Sequence, residues 1–122
     1  GWKKLSNEQA QCAINNSLIT VVAYDNHKPV GMGRIVGDGA VICYIQDLIV
    51  IPSYQKKGVG RMIIDRLVKF AKDINYVEEI QLPGTRIMLD LMCAKGREEF
   101  YKKCGFTARP NEKLGPGMIM YL

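Results

Sequence analysis

"YIQDLIVIPSYQKKGVGRMIIDRL" (Tyr44 to Leu67) changes character twice. It begins inside an apolar run from Ala40 to Ile51 that stops at Pro52. A run of this kind, rich in Ile and Val, predicts a strand buried on both faces. Gln46 and Asp47 interrupt it side by side. Neighbouring strand residues point to opposite faces, so a regular strand would put a polar group on each; a bulge at this position is expected instead. From Gly58 the pattern becomes helical: Val59, Met62, Ile63, Leu67, Phe70, Ala71 and Ile74 recur at three- and four-residue steps, with Arg61, Asp65, Lys69, Lys72 and Asp73 on the other face. The stripe is expected to pack on the sheet.

Upstream, "SNEQAQCAINN" starts with Ser6 and has Gln9 three residues on, a capping-box pattern that predicts a short helix. "LITVVAY" (Leu18 to Tyr24), the turn "DNHK" and "PVGMGRIV" (Pro29 to Val36) read as a hairpin, and "GDG" (Gly37 to Gly39) turns the chain into the central strand. Downstream, "RIMLDLMC" (Arg86 to Cys93) reads as a strand. "GREEFYKKCGF" reads as a helix with Glu98 and Glu99 early, Lys102 and Lys103 late and Gly105 just past its end. "GMIMYL" reads as a last strand, after a turn at "KLGPGM" (Lys113 to Met118). The expected order is helix, three antiparallel strands, helix, strand, helix, strand: an α/β layer fold with a mixed sheet.

The 122 residues are expected to form one domain, 1–122, and 48% apolar with 24% charged residues is ordinary globular composition. The net charge of +5 favours anionic partners, among them nucleic acid, phosphorylated cofactors and acidic membranes. No apolar run reaches the ~18–20 residues of a membrane span. Cys12, Cys43, Cys93 and Cys104 have no metal-ligand spacing and His27 is the only histidine, so no metal site and no histidine-based triad is expected. Reduced thiols in a cytoplasmic chain are expected. The chain opens at Gly1 without a methionine, as a fragment or trimmed chain would.

The crowding of Lys56, Lys57 and Arg61 around Gly58 and Gly60 has a physical use. A helix start leaves backbone N–H groups unpaired and favours anions, and glycine lets a phosphate approach them. A strand, a glycine turn and a helix can therefore cradle a pyrophosphate. The Walker pattern GxxxxGK[ST] and the dinucleotide pattern GxGxxG are both absent. On these residues alone, a solvated lysine turn explains the stretch equally well.

"QKKGVG" (Gln55 to Gly60) resembles the Q/R-x-x-G-x-G/A motif of the GNAT family of acetyl-CoA-dependent N-acetyltransferases. "LIVIPSYQ" is similar to the segment ahead of it in that family, and "FYKKCGF" (Phe100 to Phe106) resembles the family's second motif. The resemblance covers the chain from Leu18 onward. It implies a GNAT-type mixed, mostly antiparallel central sheet flanked by helices. The family opens with a strand and a helix ahead of the first helix found here, more than the chain has room for, so the sheet is expected to lack its first strand or the chain to begin late. The resemblance further implies acetyl-CoA as acetyl donor and a primary amine as acceptor, with no metal. The backbone of Leu48, Ile49 and Val50 would receive the pantetheine arm. Gln55, Lys56, Lys57, Gly58, Val59, Gly60 and Arg61 would hold the pyrophosphate, with Lys103 facing the cofactor's charge. Tyr101 would be the general acid at the sulfur. Asp47 would take the amine's proton, directly or through water; its other readings are a carboxylate paired with a nearby Arg or Lys, or a group that only binds the substrate cation. "AKGRE" (Ala94 to Glu98) stands where many members carry an asparagine. A homodimer is common in the family, and nothing in the sequence marks its interface.

Two other readings fit part of this pattern. One is a non-catalytic coenzyme A binder or acyl-CoA sensor on the same fold. The other is a basic nucleic-acid module, which calls for aromatic residues interleaved with basic ones on one face. Here the basic residues gather at one turn and in the second motif, so neither nucleic acid nor membrane is the expected partner.

Overall fold

The computed structural model describes residues 4–74 and 86–122, which fall in two compact units, Gly1–Leu91 and Met92–Leu122. The first unit holds helix α1 (Asn7–Asn15), strands β1 (Ile19–Asp25), β2 (Lys28–Gly37) and β3 (Ile42–Val50), helix α2 (Val59–Lys72) and strand β4 (Met88–Leu91). The sheet order is β1-β2-β3-β4; β1, β2 and β3 are antiparallel, and β4 lies parallel to β3. This is the expected mixed, mostly antiparallel α/β arrangement.

Local chemistry fixes the helix ends. Ser6 Oγ accepts from the Gln9 amide at 3.1 Å while the Gln9 side chain accepts from the Ser6 amide at 3.0 Å, completing the capping box of α1. The buried core is Val30, Ile35, Cys43, Ile45, Ile63, Ile64, Leu67 and Ile74. Helix α2 reaches the sheet closely because β2 carries Gly33 there. A Cβ at Gly33 would lie 2.9 Å from Ile63 and 3.0 Å from Leu67, closer than carbon atoms pack. Leu67→Ala removes a fully buried side chain at this contact. It is expected to cost about 3 kcal/mol and lower the melting temperature by roughly 10 °C in a thermal scan.

The second unit contains helix α3 (Glu98–Lys103). Its end is a Schellman motif: the Gly105 amide donates to the Lys102 carbonyl, the Phe106 amide donates to the Tyr101 carbonyl, and Gly105 has φ +99°. Asn111 Oδ1 accepts from the amides of Lys113 and Leu114, so the turn here spans Asn111 to Leu114, earlier than the expected Lys113 to Met118.

Three expectations need correction. Residues 117–122 form no strand, and Met118, Ile119, Met120, Tyr121 and Leu122 are exposed. Apolar content alone does not make a strand; a paired ladder does, and residues 117–122 join no ladder among the described residues. Strand β4 occupies only Met88–Leu91 of the expected Arg86 to Cys93. Met62, assigned to the core stripe of α2, is 65% exposed, whereas Ile64 on the other flank is buried. Met62 instead lines an open groove with Ile19, Val21 and Tyr24 of β1.

Candidate active site

The irregularity expected in β3 is present. Between two paired positions β2 advances from Met32 to Arg34 while β3 advances from Gln46 to Ile49, so β3 carries one extra residue. Asp47 absorbs it with φ +61°, a left-handed conformation that Asp tolerates better than most residues. The bulge cancels the alternation that would have separated Gln46 from Asp47. Gln46 Nε2 donates to Asp47 Oδ1 at 3.2 Å. Arg34 Nε donates to Asp47 Oδ2 at 2.9 Å, and Arg34 Nη1 reaches Ser17 Oγ at 3.2 Å. The Arg34 and Asp47 side chains are 13% and 22% exposed, so water screens this pair only in part.

Beyond the bulge the same strand outruns its described parallel neighbour. Its parallel pairing with β4 ends at Ile45 and Leu91, so Gln46 to Val50, including Leu48, Ile49 and Val50, run on past the end of β4. A strand edge that outruns its neighbour can accept an extended amide-bearing chain.

After β3 the chain makes a short 3-10 turn (Pro52–Tyr54) and folds back, with Gln55 Nε2 donating to the Val50 carbonyl at 2.9 Å. Lys56 (φ +61°) and Gly58 (φ +86°) are both left-handed, a conformation that turns successive N–H groups inward as an anion nest does. Gly58 is the N-cap of α2; no side chain caps this helix and no acidic residue stands in its first turn. The contrast with the fully capped α1 is direct. A Cβ at Gly58 would meet nothing within 4 Å, so it is the left-handed backbone and not crowding that favours glycine there. Val59 and Gly60 begin the helix, and Arg61 pairs with Asp65 at 3.0 Å. Lys57 lies over the Tyr54 ring, 5.5 Å from its centroid. The Tyr54 hydroxyl donates to Asp25, a bond that raises its pKa and keeps it neutral.

In the second unit, Tyr101 lies on α3 with Phe100 and Phe106 packed edge-on to its ring at 5.0 and 6.0 Å. Burial pushes its hydroxyl above the ordinary phenol range; the nearby Cys93 and Cys104 thiols add to this, and Arg97 opposes it. Lys103 is the last residue of α3.

Comparison with known proteins follows the same lines. A family profile described as the acetyltransferase (GNAT) domain matches residues 16–108. The chain belongs to the GNAT acetyltransferase family. A GCN5-related N-acetyltransferase of Arabidopsis thaliana, named as chloroplastic, is 30% identical over 79% of this chain and 35% of its own length. An uncharacterized N-acetyltransferase of Pyropia yezoensis is 28% identical over 94% of this chain and 63% of its own. The chain thus spans about a third to just under two thirds of these curated relatives. Among solved structures, a protein of meticillin-resistant Staphylococcus aureus named as a probable acetyltransferase superposes with a TM-score of 0.74 at 28% identity, covering 98% of this chain and 83% of that one. A GNAT family protein of Streptococcus pneumoniae gives 0.73 at 28% identity, covering 96% and 80%.

Within this GNAT chain, sequence reasoning placed Gln55 to Arg61 on one turn and helix start, and the structure has them there. It left Arg34 unassigned and had no account of Gln46; both hold Asp47. The available signal was Arg34 itself, a charge inside the apolar stretch "VGMGRIV" (Val30 to Val36). It also passed over Lys28, Tyr54 and Asp25, whose meeting depends on two turns coming together at one end of the sheet.

Proposed function

We propose that the protein is an N-acetyltransferase that moves an acetyl group from acetyl-CoA to a primary amine by direct attack on the thioester. The carrying observation is the uncapped start of α2 beside Lys56 and Lys57, set against a fully capped α1. The donor set fits a diphosphate: backbone amides at Gly58, Val59 and Gly60, left-handed turns at Lys56 and Gly58, and ammonium groups around them. The length of β3 past β4 fits the pantetheine arm, through the backbone of Leu48, Ile49 and Val50. Lys103 adds positive charge on α3. The family match runs through both compact units, which supports reading 1–122 as one acetyltransferase domain.

Acetyl-CoA supplies an electrophilic thioester carbonyl and a thiolate leaving group. The chain's residues handle the protons. An alkyl amine of pKa about 10.4 is only ~0.04% neutral at pH 7, so it must lose a proton before attack. Asp47 is the proposed acceptor. Arg34 and Gln46 each engage one of its oxygens, so the proton reaches it through a water at a remaining lone pair. Tyr101 is the proposed donor to the sulfur. Even an ordinary phenol, near 10, gives its proton to a thiolate near 8.5 only uphill, by roughly 2 kcal/mol. Burial of Tyr101 steepens that climb. It therefore acts as a hydrogen-bond donor whose contact strengthens as charge builds on sulfur, rather than by full transfer before bond cleavage.

Asp47→Asn tests the first role. Asparagine keeps the left-handed backbone but leaves Arg34 without its carboxylate. Stability is expected to fall by about 2 kcal/mol in urea unfolding, and kcat with the best amine by at least tenfold. The activity itself is tested by following thiol release from acetyl-CoA across a panel of small amines, polyamines and lysine peptides. Amine-dependent release supports the reading. Binding of acetyl-CoA with no release by any amine would instead fit a non-catalytic acyl-CoA binder.

A further inference from the structure

Gly33 of β2 faces α2, since a Cβ there would lie against Ile63 and Leu67, and strand alternation turns Arg34 to the opposite face. The register sets Gln46 opposite Arg34, Tyr44 opposite Val36, and Asp90 of β4 opposite Tyr44. Arg34, Gln46, Tyr44 and Asp90 therefore share the face turned away from α2. Asp47 joins them through the bulge, its carboxylate held by Arg34 and Gln46. Asp90 stands one residue before Leu91, where the pairing of β3 with β4 ends.

The two carboxylates of this face differ. Asp47 is paired, and Arg34 is engaged by Asp47 and Ser17. Asp90 Oδ1 is buried with no hydrogen-bond partner, and Asp90 joins no ion pair among the described residues. A buried carboxylate oxygen without a donor costs the fold stability, and a cationic ligand would relieve that cost. Asp90 and Gln46, whose amide touches Asp47, lie one strand across and two residues along, roughly 8 Å apart at the backbone. That spacing suits two ammonium groups joined by a short alkyl chain. We propose that Asp90 is a specificity-determining residue: it holds the distal ammonium of an aliphatic diamine or polyamine while the other nitrogen reacts beside Asp47. This rests on the acetyltransfer reading above and names its class of acceptor. In the reaction a C–N bond forms as the thioester C–S bond breaks. An ammonium and a thioester become an amide, a thiol and one proton, which leaves through the water at Asp47. The distal nitrogen keeps its charge throughout.

The test compares kcat/KM for putrescine, butylamine and γ-aminobutyrate, which share one chain length and end in an ammonium, a methyl and a carboxylate. The parent is expected to prefer putrescine to butylamine by about tenfold and to use γ-aminobutyrate least. Asp90→Asn should bring the putrescine-to-butylamine ratio close to one, through KM rather than kcat. It should melt no lower than the parent, because no described partner is lost. A ratio near one in the parent overturns the inference, and so does a ratio that folded Asp90→Asn preserves. Failure to release thiol with putrescine overturns it too. Release with another amine of the panel then leaves the acetyltransfer reading standing, and release with none overturns both.

Discussion

Gly60→Glu is expected to leave the protein folded and to abolish its thermal stabilisation by acetyl-CoA. Gly60 is the second residue of α2, where glycine is a poor helix former by about 1 kcal/mol. A carboxylate in the first turn of a helix is itself favourable, by ~0.3–1 kcal/mol. The variant should therefore melt no lower than the parent. Its new carboxylate, however, competes for the amides the diphosphate needs and repels what approaches them. A loss of at least a hundredfold in affinity, about 2.7 kcal/mol, is expected. At a ligand concentration near 100 times the parent's Kd, the parent gains about 2.7 kcal/mol, a rise of roughly 10 °C, and the variant gains almost nothing. A variant stabilised as much as the parent would show that the start of α2 does not hold the cofactor.

Tyr101→Phe is expected to lower kcat by about a hundredfold with little change in the KM for acetyl-CoA, the signature of a donor used in the transition state. The ring and its edge-on contacts with Phe100 and Phe106 survive the change, so stability should barely move. The pH profile separates the roles further. The neutral phenol is the donor, and burial raises its pKa, so Tyr101 stays competent at every pH below the ordinary phenol value. The alkaline decline due to this group should fall above pH ~10 in the parent and vanish in the variant. An unchanged kcat would reduce Tyr101 to a packing residue of α3.

What the sequence disclosed followed the range of the interaction. The capping box at Ser6 and Gln9, the Gly105 ending of α3 and the turn from Gln55 to Gly60 are settled within a few residues of chain, and all three were legible. The bulge in β3 was legible for a different reason: Gln46 beside Asp47 breaks the alternation a buried strand requires. The partner of Asp47 was not. Arg34 reaches it through the β2–β3 register, and one extra residue in β3 decides which side chains meet. The meeting of Lys28, Asp25 and Tyr54 depends likewise on two turns placed at the same end of the sheet. The misread ending "GMIMYL" shows the converse error: strand-like composition was present, but among the described residues the pairing, which no local pattern encodes, was absent. Met62 was misread because helix periodicity marks a stripe but not which of its members the sheet covers.

The most direct measurement is a calorimetric titration of the chain with acetyl-CoA. The account predicts a single site with micromolar affinity. A folded protein, verified by its cooperative melt, that takes up no acetyl-CoA at millimolar concentration would contradict it.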